Sequence, residues 1–138
     1  MTQGSPLIGV LDDEPQFCKA LGRLLKTHDF EVVTFALGEE LLAARASRWP
    51  DCLLLDLHMP GLSGIQVLER LAAQHVRMPV VVVTGHDQPG NAERVRALGA
   101  VEYLLKPLSE SQLLAAIGTA IDSTDRLDMS HEKEQEKP

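Results

Sequence analysis

The chain has 138 residues and a mass of 15.1 kDa, the size of one domain that buries roughly two thirds of its unfolded surface. Hydrophobic residues make up 44% and charged residues 24%, the proportions of an ordinary globular fold. Thirteen basic against twenty acidic residues leave a net charge of −7, which argues against sequence-independent binding to nucleic acid or an anionic membrane by this chain alone.

Leu7–Leu11 (LIGVL) reads as a first strand, and Asp12-Asp13-Glu14 follows it. Pro15 suits the first position of a helix, where its missing N–H costs nothing. Phe17, Ala20, Leu21, Leu24 and Leu25 then recur with the spacing of a helix packed on one face. Residues 30–35 (FEVVTF) predict a second strand, and Gly38-Glu39-Glu40 opens a second helix through about Ser47. Cys52–Leu55 (CLLL) is apolar throughout, as expected of a strand covered on both faces. Beyond it come Asp56, a turn over 59–62, and Ser63 with Gln66 as a capping box for a third helix from Gly64 to about Gln74. Residues 80–83 are four valines ended by Thr84-Gly85, with Pro89 suited to a helix start and Gly99 to its C-terminal cap. Residues 101–105 form a fifth strand broken by Lys106-Pro107, and Ser109 with Gln112 repeats the capping box before a last helix from Glu110 to about Ile121. Five strands, each followed by a helix, predict an α/β fold with a parallel sheet covered on both faces.

Residues 122–138 carry six acids and three bases, a net −3, leaving −4 for residues 1–121. This segment, and 123–138 in particular, is expected to be a solvated, disordered acidic tail behind a single domain over 1–122. Cys18 and Cys52 show no metal-ligand spacing and are expected to be buried thiols in a reducing compartment. Neither a secretion signal nor a membrane-spanning run is recognisable, so the cytoplasm is the expected location and no membrane partner is expected.

In an open α/β sheet, ligands bind beyond the carboxyl ends of the strands. Asp12, Asp13, Asp56, Thr84 and Lys106 all fall there. Capping explains Asp12 or Asp13, but not Asp56, which precedes Leu-His-Met-Pro, nor a lysine directly after an apolar strand. Clustered carboxylates repel by ~4 kcal/mol per pair at about 4 Å and an effective dielectric near 20. Lys106 offsets one charge only, and a hard divalent cation such as Mg²⁺ is the natural complement, since it takes carboxylates and accepts phosphate oxygens. Zinc fits poorly because His58 and His86 alone are too few ligands. The residues thus point to a Mg²⁺ site that receives a phosphoryl group, with a carboxylate as nucleophile. They do not choose which aspartate attacks.

Asp12-Asp13-Glu14, Asp56-Leu-His-Met-Pro60-Gly61 with Gly64, Thr84-Gly85, Tyr103 and Lys106-Pro107 resemble the receiver domain of two-component response regulators. The resemblance runs from about Leu7 to Ile121. Val83-Thr-Gly-His86, Ala97-Leu-Gly-Ala100 and the run 102–107 (EYLLKP) are most similar to the FixJ-like subgroup. It implies a doubly wound, CheY-like (βα)5 fold with strand order 2-1-3-4-5. It implies further that Asp56 accepts a phosphoryl group from a sensor histidine kinase or phosphotransfer protein. Asp13, Asp56 and the His58 carbonyl would bind Mg²⁺, for which Mn²⁺ can substitute, with Asp12 acting through water. Lys106, its bond to Pro107 expected to be cis, would pair with the phosphoryl oxygens. Thr84 and Tyr103 would form the switch that reshapes the face of the fourth helix, fifth strand and fifth helix, with phosphorylation-linked homodimerisation as one outcome. His58 and His86, two residues after Asp56 and Thr84, are candidates for tuning dephosphorylation. His28, His75 and His131 are expected to be solvated, and Trp49 to cover the edge of the third strand.

The expected role is therefore that of a bacterial signalling module rather than a substrate-turning enzyme. A Mg²⁺-dependent aspartyl phosphatase is the alternative from another class, but the second acid of a D-x-D motif is missing, since His58 stands two after Asp56 and Glu14 two after Asp12. A receiver-like binding scaffold that has abandoned phosphorylation is a third reading, and it would ordinarily lack one of the aspartate, threonine or lysine positions.

Overall fold

The computed structural model describes residues 4–44 and 49–136, with side chains of the last helix described as far as Ser123. Its elements are β1 (Leu7–Leu11), α1 (Pro15–Thr27), β2 (Glu31–Phe35), α2 (Gly38–Ala43), β3 (Cys52–Leu55), α3 (Gly64–Ala73), β4 (Val80–Thr84), α4 (Asn91–Ala97), β5 (Ala100–Leu105) and α5 (Glu110–Glu136). All neighbouring strands pair parallel, in the order β2-β1-β3-β4-β5. The doubly wound order implied by the resemblance is the observed one.

The unbroken apolar runs have a simple cause. In β3, Leu53 and Leu55 join one core while Cys52 and Leu54 join the other, and in β4 Val80 and Val82 separate from Val81 and Val83 in the same way. The first core is completed by Leu41 of α2, Val67, Leu68 and Leu71 of α3 and Val95 of α4. The second is completed by Leu21 and Leu25 of α1 and by Leu113, Ala116, Ile117 and Ala120 of α5. A strand sandwiched between helices has no polar face to spare. The edge strand β2, by contrast, keeps Glu31 and Thr34 exposed.

Two boundaries depart from expectation. The fourth helix starts at Asn91 rather than at Pro89, because Gly90 caps it in a left-handed conformation (φ 86°) that no helical residue adopts. The last helix runs to Glu136 instead of ending near Ile121 before an irregular tail. Residues 122–136 hold no glycine or proline and end in Glu-Lys-Glu-Gln-Glu, so extending an existing helix meets no breaker there. The expected end of the second helix near Ser47 lies outside the described residues. Both cysteines are free, Cys52 buried and Cys18 half-buried, and burial pushes the Cys52 thiol up to about 12. Trp49 packs partly buried against the first core. Among the described residues no helix is long and apolar enough to cross a membrane.

Candidate functional site

The chain crosses from one side of the sheet to the other between β1 and β3, and the crevice that opens there at the carboxyl ends of the strands collects the polar residues. Asp12, Asp56 and Thr84 are the buried polar side chains among the described residues, at 3%, 6% and 0% exposure. Strand geometry delivers each of them. The Asp12 N–H donates to the Phe35 carbonyl at 3.1 Å and the Asp56 N–H to the Leu11 carbonyl at 3.0 Å, extending the ladders by one residue into the site. Asp12, Asp13 and Asp56 each place a carboxylate oxygen within 4.8 Å of the others, with Asp13 the exposed member.

Those charges are only partly balanced. The Lys106 ammonium donates to Asp12 Oδ2 at 2.8 Å and to Glu14 Oε1 at 2.7 Å, and it sits 4.1 Å from the centre of the Phe17 ring. Burial opposes its charge, but the two acids outweigh burial and raise its pKa above the ordinary lysine value. The same ammonium lowers the pKa of Glu14. Asp56 goes the other way. Burial and then the Asp12 charge raise its pKa, against the pull of Lys106 and the His58 N–H. A hard cation among three oxygen donors would remove that tension, and the donor set fits Mg²⁺.

Backbone donors frame the pocket. His58 N–H points to Asp56 Oδ1 at 3.4 Å and His86 N–H donates to Thr84 Oγ1 at 3.1 Å. The loop after Asp56 is held by Gly64, whose N–H donates to the Leu57 carbonyl at 3.0 Å. A Cβ at Gly64 would run into the Asp56 carbonyl oxygen and come 2.8 Å from Leu57 Cα, so only glycine lets α3 start this close to Asp56. Ser63 and Gln66 close the capping box above it, Ser63 Oγ accepting at 3.2 Å and Gln66 Oε1 at 2.9 Å.

The structure thus gathers Asp12, Asp13, Asp56, Thr84 and Lys106 at one rim, with the Lys106–Pro107 bond cis. His58 and His86 lie beside it, their ring centres 4.4 Å apart. Tyr103 sits farther along β5, its hydroxyl donating to Asp87 Oδ1 at 2.8 Å. Sequence reasoning did not foresee the partners of Lys106 or of Tyr103. Phe17 falls in the helical stripe and reads as core. Glu14 reads only as an acid before a proline, although its N–H, donating to Asp12 Oδ1 at 2.9 Å, folds it back toward the site. His28, expected to be solvated, is exposed and in addition pairs with Glu110 at 2.8 Å, because the end of α1 reaches the start of α5. His75 is exposed and ends α3 in a left-handed conformation (φ 58°), while the His131 side chain lies outside those described.

Comparison with known proteins agrees with this geometry. Residues 8–118 match the model of the response regulator receiver domain. The chain is 34% identical over 132 residues to the DNA-binding transcriptional regulator NtrC of Salmonella typhimurium, covering 96% of this chain and 26% of that protein. It is 36% identical over 114 residues to the transcriptional regulatory protein FixJ of Bradyrhizobium diazoefficiens, covering 83% and 56% respectively. It superposes on the response regulator StyR with a TM-score of 0.85 at 34% identity, over 95% of this chain and 66% of that one. The chain thus spans about a quarter to a little over half of these curated relatives.

Proposed function

Since the chain belongs to the response regulator receiver family, a family of signalling phosphoacceptor domains that histidine kinases phosphorylate on aspartate, we propose that Asp56 is the acceptor here. One observation carries the reading: Asp56 is the buried carboxylate at the end of β3 that shares a 4.8 Å cluster with Asp12 and Asp13. Receivers bind Mg²⁺ at such an acidic pocket. In this chain Asp13, Asp56 and the His58 carbonyl would hold it, with Asp12 through water, and when bound it neutralises charge on the phosphoryl oxygens. Mn²⁺ offers the same oxygen chemistry.

The residues themselves account for the transfer. An Asp56 carboxylate oxygen attacks phosphorus, and the bond from phosphorus to the donor breaks. The donor imidazole or carboxylate leaves with the electron pair. Alignment and charge stabilisation are what such a transfer needs. Lys106, within reach of Asp12 and Glu14 at the pocket edge, supplies the positive charge, and the Thr84 hydroxyl and the loop N–H groups supply donors. Repeated turnover of a substrate is not part of this role. The self-directed steps are acceptance from small donors and hydrolysis of the aspartyl phosphate.

The new phosphoryl group adds on the order of −1.5 to −2 charges. Thr84 turns its hydroxyl toward it, the Tyr103 ring moves into the space behind, and the α4–β5–α5 face becomes competent to pair with a partner or a second copy. His58 and His86 flank the approach of water to Asp56 and set how long the phosphoryl group survives. If His58→Ala and His86→Ala both keep the native dephosphorylation rate, that role is wrong. The setting we infer is the bacterial cytoplasm, with the receiver functioning as a domain over residues 1–122.

Intact mass after incubation with a small acyl phosphate tests the central assignment. The native chain should gain one phosphoryl group only with Mg²⁺, and Asp56→Asn should gain none. Labelling that persists in Asp56→Asn would move the acceptor elsewhere.

A further inference from the structure

The two histidines at the rim are more than neighbours of Asp56. The His58 and His86 rings stand with centres 4.4 Å apart, tilted by 55°. Both side chains are exposed. Among the described residues no hydrogen bond or ion pair to another side chain claims either ring, whereas His28 is taken by Glu110. Their placement is also fixed from below. The backbone N–H of His58 points to Asp56 and that of His86 donates to Thr84, so the two rings hang from segments already tied to the pocket.

An imidazole nitrogen is a borderline-soft donor that Mg²⁺ does not seek and that Zn²⁺, Cu²⁺ and Ni²⁺ do. A tetrahedral ion with ~2.0–2.1 Å bonds holds two nitrogens about 3.3 Å apart. Two imidazoles on such an ion have ring centres about 5 Å apart, and the observed 4.4 Å is near that spacing.

We propose that His58 and His86 form a second metal site, selective for a borderline-soft divalent ion of the Zn²⁺, Cu²⁺ or Ni²⁺ class, on the rim above the carboxylate floor. Water fills the remaining coordination positions. The floor and the rim then sort cations by chemistry, oxygen donors below for Mg²⁺ and nitrogen donors above for the softer ion. An ion bridging the two rings covers the route by which a phosphoryl donor reaches Asp56, so it slows phosphorylation. The binding site does not depend on the phosphoacceptor reading, whereas this blocking effect rests on it.

Calorimetric titration of the full chain with Ni²⁺, in excess Mg²⁺, tests the site. Native protein and Asp13→Asn should bind one Ni²⁺ with equal affinity. His58→Ala and His86→Ala should each weaken it by roughly tenfold or more, because either change destroys the chelate, and the exposed His58→Gln should behave like His58→Ala. Paramagnetic Ni²⁺ should broaden amide signals around 56–58 and 84–86. Affinity unchanged in both histidine variants, or lost in Asp13→Asn instead, would overturn the site. Acyl-phosphate labelling tests the block: Ni²⁺ should slow it severalfold in the native chain and not in His58→Ala. Ni²⁺ held by the pair with labelling at the native rate would overturn the block. Absence of labelling with Mg²⁺ alone would remove the block together with the phosphoacceptor reading, and calorimetry would still decide the metal site.

Discussion

Asp56 and Lys106 show how the same pocket holds one charge against its preference and another with it. Folding raises the Asp56 pKa, chiefly by burial and then by Asp12. A carboxyl raised in this way loses stability for the fold as pH climbs from its ordinary 3.8 through the higher folded value. Asp56→Asn should therefore be more stable than the native chain at neutral pH without Mg²⁺, by about 1 kcal/mol once screening by water is allowed for. The melting temperature should rise by roughly 3–5 °C, and the gain should vanish toward pH 3.8. An unchanged melting curve at pH 7 would show that the carboxylate cluster is not strained. Mg²⁺ should stabilise the native chain, by about 2.7 kcal/mol at a hundredfold excess over its Kd, and should do far less for Asp13→Asn or Asp56→Asn. Lys106 behaves oppositely. Its raised pKa means that the lysine charge contributes fully below 10.5 and is lost as pH rises past the folded value, while the Glu14 pair is also lost in acid as pH falls through that carboxyl's lowered value. Lys106→Met leaves Asp12, whose side chain is 2% exposed, without its cation. It should cost ~2–4 kcal/mol in chemical denaturation at pH 7.

Among the elements, α3 is the one whose position governs the site. Its first residue, Gly64, lies so close to the Asp56 carbonyl that a methyl group forces backbone apart. Gly64→Ala should destabilise the fold by ~2–4 kcal/mol and slow acyl-phosphate labelling, because the Asp56 loop must move. Gly22 in α1 is the control: a Cβ there meets nothing within 4 Å. Gly22→Ala should stabilise by about 0.5–1 kcal/mol through helix propensity alone, leaving labelling unchanged. Equal effects at both positions in denaturant titrations would refute the close-approach argument. The elements were legible in the sequence because period and punctuation agreed: Leu7–Leu11, Cys52–Leu55 and the Pro15 helix start fall where the apolar runs and caps put them. Misplaced ends have equally local causes, a left-handed Gly90 that delays α4 and a tail without glycine or proline up to Glu136 that lets α5 continue. Asp12, Asp13, Asp56, Thr84 and Lys106 were legible because each directly follows or ends an apolar strand. Glu14, Phe17 and Asp87 were not, since what brings them to Lys106 and Tyr103 is the packing of α1 and of the β4–α4 connection, which leaves no period in the sequence.

At the scale of the whole molecule, the question is how an event at Asp56 reaches the far edge of the sheet. Register supplies the path. Val82 pairs with Tyr103 and Thr84 with Leu105, so the strand that ends in Thr84 is paired, beyond an irregularity at Val80/Val81, with the strand that carries Tyr103. Tyr103 is tied by its hydroxyl to Asp87, three residues beyond Thr84, at 2.8 Å. On the proposed reading that contact holds the resting arrangement, and Leu105, at 45% exposure, lies on the same strand. A hydrogen bond of this kind contributes about 0.5–1.5 kcal/mol, so Tyr103→Phe should shift the resting-to-active equilibrium roughly 2- to 10-fold toward the active form. Sedimentation equilibrium reads the consequence. Without a phosphoryl donor, Tyr103→Phe should self-associate severalfold more tightly than the native chain, and Mg²⁺ with acyl phosphate should narrow the difference. Linkage adds a reciprocal demand: if pairing prefers the active form, a phosphoryl analogue must bind Asp56 more tightly as protein concentration rises. A native chain that stays at monomer mass when phosphorylated, with analogue affinity independent of concentration, would leave the α4–β5–α5 face without a role in self-association and direct it to a different partner.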